Sequence, residues 1–298
     1  MTLPRQVLPG RFYSLSRRCT QRQFLLRPDD ETHNAFMYCL AEAAQRFGIE
    51  VILAQQMSNH HHTDLFDRHG RIIQFAAHFH KMLAKCQNAL RGRWENMWSN
   101  DPPCIVERLD RPAVIKGLVY VATNPVLDHL VDRVDHWPGA KLVRAFLRQE
   151  PLRAKRPSHF FRDDGVMPEA VELTFTIPPE LGTPDVVVAE VRDGIAAVEL
   201  EQAQLRMKTG RRVIGRRNIL RQAWSQSPET FVLRRGLRPR FSARSKWVLI
   251  EALQRNRAFL IDYRIARRAW LEGKPAVFPP GTYWLARFAH VPVHASEI

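Results

Sequence analysis

The strongest constraint on this chain is the way its hydrophobic period switches between strand and helix spacing from Arg11 to Pro125. Residues 11–18 (RFYSLSRR) have strand composition. Asp29 or Asp30 then offers a helix N-cap, Phe36, Leu40, Ala44 and Phe47 recur at three- or four-residue spacing, and Gly48 stands as a C-terminal stop. Ile49 to Gln55 (IEVILAQ) reads as a buried strand, and His60 to Asp67 (HHHTDLFD) as its hairpin neighbour, closed by a turn at His69-Gly70. Ile72, Phe75, Phe79, Met82 and Cys86 predict a second amphipathic helix running to about Leu90, and Cys104 to Leu109 a further strand. Asp110 caps a third helix with Pro112 in its first turn, where a missing N–H costs little, and Pro125 limits its far end. The order strand, helix, strand, strand, helix, strand, helix predicts an α+β fold built on a ferredoxin-like, split βαβ sheet packed with helices.

Composition changes after about Glu150, where Pro151, Pro157, Pro168, Pro178, Pro179 and Pro184 interrupt any regular element. The expected division is a domain over residues 1–150 and a basic, mainly helical C-terminal region over residues 151–298. A helix is expected from Asp185 to about Lys208, despite Gly194. Trp247, Ile250, Leu253, Leu260, Tyr263, Ala266 and Trp270 form an apolar stripe expected to be core, with Arg255, Arg257, Arg264 and Arg268 on an outer face.

Across its 298 residues the chain carries a formal charge of +15, with a pI near 10.4, and the second half holds the larger positive excess. Such a surface attracts polyphosphate through Coulomb forces and counterion release, so nucleic acid is the expected partner. The four cysteines, Cys19, Cys39, Cys86 and Cys104, include no C-x-x-C pair and read as free thiols in a reducing compartment. With no run of eighteen apolar residues and a charged N-terminus, the expectation is a cytosolic, nucleoid-associated protein of bacterial type, not a membrane one.

In a strand, residues two apart share a face. His60 and His62 can therefore present their imidazoles to one divalent cation, Mg²⁺ or Mn²⁺ where phosphate oxygens complete the shell, while His61 points the other way and Asp64 follows on the cation side. Imidazole would also suit Zn²⁺. Three adjacent histidines alone are equally compatible with a surface tract.

On the third helix Lys116, Tyr120 and Asn124 fall at i, i+4 and i+8, with Val114, Leu118 and Val121 as the buried stripe. A tyrosine hydroxyl titrates near 10 and is a weak nucleophile at neutral pH unless a cation activates it or polarises its target. Asn124, one turn on, can offer an oxygen to a shell shared with His60 and His62, and Lys116 can steady a phosphate. Taken alone, Tyr120 also fits an ordinary half-buried tyrosine, and Asn124 a helix-ending residue before Pro125.

Together these segments resemble the HUH endonucleases, specifically the REP-associated single-tyrosine transposases, over roughly Arg11 to Arg148. Met57-Ser58-Asn59-His60-His61-His62 is similar to that family's M-P-N-H-x-H segment, Tyr120 to Val126 (YVATNPV) to its Y-x-x-x-N-P-V segment, and Asp135-His136-Trp137-Pro138 is also familiar. Ser58 stands where proline is usual and His61 where a bulky apolar residue is usual. A buried His61 needs a partner or stays neutral.

The resemblance implies a ferredoxin-like catalytic domain acting on hairpin or single-stranded DNA at element ends. His60 and His62 hold a divalent cation, with Asn124 as third ligand. Tyr120 attacks a backbone phosphate to form a 5′-phosphotyrosyl link, and no nucleotide cofactor is needed. It leaves open a monomer or a homodimer. The competing readings are a non-catalytic hairpin-binding regulator on the same domain and a structural RNA-binding protein, which accounts for the charge but not for the histidines and tyrosine. For the C-terminal region, Arg211, Arg212, Arg216, Arg217, Arg234 and Arg235 are expected phosphate contacts, a solvated basic face being the alternative.

Overall fold

The computed structural model describes residues 3–230 and 239–295. Strand β1 (Arg11–Arg18), helix α1 (Asp30–Phe47), β2 (Ile49–Gln56), β3 (His60–Asp67), α2 (Ile72–Leu90), β4 (Cys104–Arg108) and α3 (Arg111–Leu127) follow in the predicted order. The strands lie in the sheet order β2-β3-β1-β4, and each of these neighbours is antiparallel to the next. Thus β3 separates β1 from β2, and β1 separates β3 from β4. These are the two interleaved split βαβ units of a ferredoxin-like sheet.

Local chemistry sets the helix ends. Asp29 Oδ1 accepts the Thr32 N–H at 2.9 Å, and Asp110 Oδ1 accepts that of Ala113 at 2.9 Å. Gly48 closes α1 at φ 63°, a left-handed conformation that suits glycine. Helix α3, expected to stop at Pro125, continues to Leu127. A proline removes only its own N–H, and the next turn still closes through Asp128 N–H to the Asn124 carbonyl at 3.0 Å.

Helices α1 and α2 cover one face of the sheet, and α3 crosses the other. After α3 come α4 (Lys141–Arg148) and the strands β5 (Leu152–Lys155) and β6 (Ala170–Leu173). The proline-rich stretch was expected to hold no regular element. Its proline-free pieces nonetheless pair, because β5 and β6 join antiparallel against the outer side of α1. Asn34 Nδ2 donates to the Lys155 carbonyl at 2.8 Å, Tyr38 Oη to that of Pro168 at 2.6 Å, and Gln45 Nε2 to that of Glu172 at 3.0 Å. This outer cover explains why α1 is buried on nearly all sides from Thr32 to Ala44.

The rest comprises α5 (Pro184–Thr209), α6 (Arg216–Arg221), β7 (Phe241–Ser242), α7 (Lys246–Leu271) and α8 (Trp284–Phe288). Gly194 does not interrupt α5. It lets the helix lie against α3, since a Cβ there would stand 2.5 Å from Val119 Cγ2. The main core, which holds Leu15, Phe36, Leu53, Phe79 and Leu118, continues past residue 150 through Val171, Leu181, Val191 and Ile219.

Strand β7 extends the sheet parallel to β4, and a small second cluster gathers Ala266, Phe278 and Val291. The apolar stripe of α7 departs from expectation. Trp247 is 80% exposed, and Ile250, Leu253 and Trp270 are also exposed, while the helix buries Ala252, Phe259 and Ala266. Arg255, assigned to the outer face, turns inward to Glu107 at 2.9 Å. Among the described residues, helix α7 packs chiefly on the sheet edge and its own small cluster, so a narrow face suffices. No helix among the described residues is long and apolar enough to cross a membrane.

Candidate active site

Alternation along β3 sends His60, His62 and Asp64 toward α3 and His61 and Thr63 toward α1 and α2. The His60 and His62 rings stand edge to face with centroids 4.9 Å apart. Tyr120, on the adjoining face of α3, brings its ring to 5.5 Å from that of His62 at an angle of 81°. Tyr120 is 45% exposed, whereas Asn124 one turn on is buried. His60, His62, Tyr120 and Asn124 are therefore brought together, as the spacing suggested.

The donor set fits a divalent cation. His60 engages Asn59 Oδ1 through Nδ1 at 2.7 Å, so its ligating atom would be Nε2, the usual arrangement of an imidazole held by an outer partner. Asn124 neighbours both His60 and Tyr120, yet its Oδ1 is buried without a hydrogen bond of normal geometry. Such an oxygen is costly unless something takes its lone pair. Among the described residues no three His, Cys, Asp or Glu side chains converge closely enough to hold a metal.

Burial keeps both histidines in the neutral form that binds metal. It pushes His60 down to about 4, with Asn124 pulling back and Arg18 adding to the fall. His62 is held well below the usual range by burial, then by His60, His61 and Arg108. The Tyr120 hydroxyl is raised by burial and by Asp128, against the lowering pull of Asn124 and Arg108. It is thus protonated at neutral pH, and to act as a nucleophile it would need activation.

His61 is fully buried on the opposite face, among Phe36, Phe79, His80 and Trp98. Its Nε2 lies 2.8 Å from His80 Nε2 and its Nδ1 3.2 Å from Thr63 Oγ1. His80 supplies the partner that a buried histidine requires. Periodicity placed position 80 on α2 but gave no sign of the pairing. Trp137 is equally structural, fully buried with Nε1 donating to the Gln56 carbonyl at 2.9 Å beside the β2–β3 turn.

Lys116 is exposed one turn before Tyr120. Arg211, Arg212, Arg216 and Arg217 are exposed on a segment that crosses the end of α3, where Ile214 and Gly215 donate to the His129 and Leu130 carbonyls at 3.2 and 2.8 Å. Arg234 and Arg235 lie outside the described residues. Arg108, at the end of β4, went unnoticed in the sequence because nothing local ties it to Tyr120. The sheet register and Gly117 make that tie.

No family model matches the chain, and no curated protein matches it. Among the solved structures similar to it are the following two. One is a REP-associated tyrosine transposase bound to a REP hairpin, with a TM-score of 0.39, 14% identity, and coverage of 46% of this chain and 80% of that one. The other is a candidate transposase from Deinococcus radiodurans R1, with a TM-score of 0.28, 19% identity, and coverage of 36% of this chain and 85% of that one.

Proposed function

We propose that this protein is a DNA strand-transfer enzyme of transposase type, which nicks and rejoins hairpin or single-stranded DNA through Tyr120. The observation that carries the reading is the meeting of two helix residues with two strand residues. Tyr120 stands in ring contact with His62, while Asn124, from the same helix, sets its buried side chain against both His60 and Tyr120. A structural tyrosine needs no such company.

In the proposed step the Tyr120 hydroxyl oxygen attacks a backbone phosphorus. A P–O bond to tyrosine forms, the P–O3′ bond breaks, and the tyrosine proton ends on the departing 3′ oxygen, directly or through solvent. Rejoining reverses this order, with a 3′-hydroxyl displacing tyrosine. Bond energy is conserved in the phosphotyrosyl link, so no nucleotide is spent.

His60, His62 and Asn124 would hold Mg²⁺ or Mn²⁺. When bound, such a cation polarises the phosphate and offsets charge developing in displacement. The protein's own contribution is orientation: β3 fixes the two imidazoles, and α3 fixes nucleophile and amide one turn apart. Lys116 and the arginines between residues 211 and 217 supply phosphate contacts that position the strand.

The test is to incubate labelled hairpin DNA with the protein and Mg²⁺ or Mn²⁺ and look for an SDS-resistant adduct. Wild type forms it, Tyr120→Phe does not, and His60→Ala and His62→Ala lose cleavage while keeping most binding, because backbone contacts dominate affinity. An adduct from Tyr120→Phe would overturn the assignment. A protein that shifts hairpins equally with and without metal and never cleaves them is instead a non-catalytic hairpin-binding regulator.

A further inference from the structure

We propose that Arg108 is a further catalytic residue of this centre, its guanidinium gripping a non-bridging oxygen of the phosphate that Tyr120 attacks. This rests on the reading of Tyr120 as the nucleophile. On β4, Cys104, Val106 and Arg108 alternate with the buried Ile105 and Glu107. Register places the first three on the face of the active-site histidines, since Ser16 of β1 pairs with both His62 and Cys104, and Ser14 with both Asp64 and Val106. Arg108 is therefore directed toward the side of the sheet that α3 crosses.

Gly117 lets it come close. A Cβ at this position would stand 2.8 Å from both Cζ and Nη2 of Arg108 and 2.9 Å from Asp64 Oδ2. The guanidinium thus lies directly against the helix backbone three residues before Tyr120, in space that any other side chain would take. Its positive charge is felt at Tyr120, His62 and Asp64 alike.

The group is also under-used. Among the described residues Nε is buried without a hydrogen-bond partner, and Nη1 reaches Ser242 Oγ alone, at 3.4 Å. Among the described residues it makes no ion pair. Asp64, across Gly117, is 2% exposed, has Ser14 as its polar neighbour and makes no ion pair among the described residues. Two groups that served only to neutralise each other would close to contact. Here they stand apart at the glycine, leaving guanidinium donors for a third party.

A planar fork of donors matches two phosphate oxygens, which the point charge of the exposed Lys116 cannot do. In the displacement described above the phosphate gains charge on its non-bridging oxygens. Arg108 would stabilise that charge without giving up a proton.

The experiment uses the full-length chain and hairpin oligonucleotides with randomised single-stranded flanks. The scissile phosphate is mapped by sequencing the wild-type adduct, and a second substrate carries a neutral methylphosphonate at that position. Arg108→Ala is expected to slow adduct formation on the phosphodiester about a hundredfold, in the range seen on loss of one charge-stabilising donor. On the methylphosphonate, where there is no anionic oxygen to neutralise, wild type and Arg108→Ala are expected to agree within about threefold.

Equal slowing on both substrates means a structural role and overturns the proposal, as does an unchanged rate on the phosphodiester. Should Arg108→Ala fail to fold, Arg108→Gln, which keeps much of the stem, carries the same comparison. If wild type forms no adduct with any hairpin, the Tyr120 reading falls first and this inference with it.

Discussion

The Nε2 atoms of His61 and His80 lie 2.8 Å apart in the dry layer between β3 and α2, so one ring donates and the other accepts. Burial and the neighbouring His80, His60 and Arg17 hold His61 well below the usual range, and burial with Arg17 does the same for His80. A pair in which both rings were charged would repel, and a lone ring would be orphaned. The arrangement therefore tolerates both histidines or neither.

It follows that His80→Leu leaves His61 Nε2 buried and unpaired, at a cost of about 1–3 kcal/mol. The double variant His61→Leu/His80→Leu replaces both partners with apolar groups and is expected to regain most of that stability. Urea titration of the three proteins measures the difference. A double variant no more stable than His80→Leu would show that the pair is not the unit of stability.

The sequence displayed the ferredoxin-like core because its period changes are clean and its caps, Asp29, Gly48 and Asp110, act through local chemistry. His60 and His62 were legible because strand alternation alone places them together, and Tyr120 with Asn124 because helix spacing does the same. What could not be read depends on contacts distant in sequence. His80 is 19 residues from His61, and Arg108 reaches the site only through register and the missing Cβ of Gly117. The α7 stripe misled because amphipathicity records which residues can be buried, and this helix finds little to bury them against.

Gly194 offers a direct test of the contact between α3 and α5. Alanine normally stabilises a helix interior relative to glycine, by roughly 0.5–1 kcal/mol. Here the added methyl meets Val119 at 2.5 Å, and overpacking of this kind costs about 1–3 kcal/mol. Gly194→Ala is thus expected to destabilise, and Gly194→Ala/Val119→Ala to be more stable than Gly194→Ala alone. Thermal melting decides the sign, and a Gly194→Ala protein as stable as wild type would show that the helices shift apart freely.

Acid stability carries the mark of His33. This residue is 4% exposed, with Nδ1 3.0 Å from Gln56 Oε1. Burial, helped by Lys141, lowers its folded pKa to about 4 against the raising pull of Gln56, Asp30 and Asp29. The unfolded chain takes up this proton near 6.5, before the folded one does. The contribution is complete above that pH and is lost as pH falls toward 4, by about 3 kcal/mol in all. In His33→Gln the slope of unfolding free energy against pH is expected to be shallower in this window. Identical slopes in wild type and variant would remove the assignment.

The exposed arginines beyond α5 make a prediction about salt rather than chemistry. Arg211, Arg212, Arg216 and Arg217 lie on the segment that crosses the end of α3, where a strand bound at Tyr120 and leaving in that direction would pass. Each phosphate contact to a single strand adds about 0.7 to the slope of log affinity against log salt, and about 0.9 to a duplex. Replacing all four by alanine is expected to reduce the slope by roughly 3 and to weaken hairpins of different sequence to the same degree, since phosphate contacts carry no sequence information. Binding curves at several salt concentrations read both quantities. An unchanged slope would make this segment a solvated face.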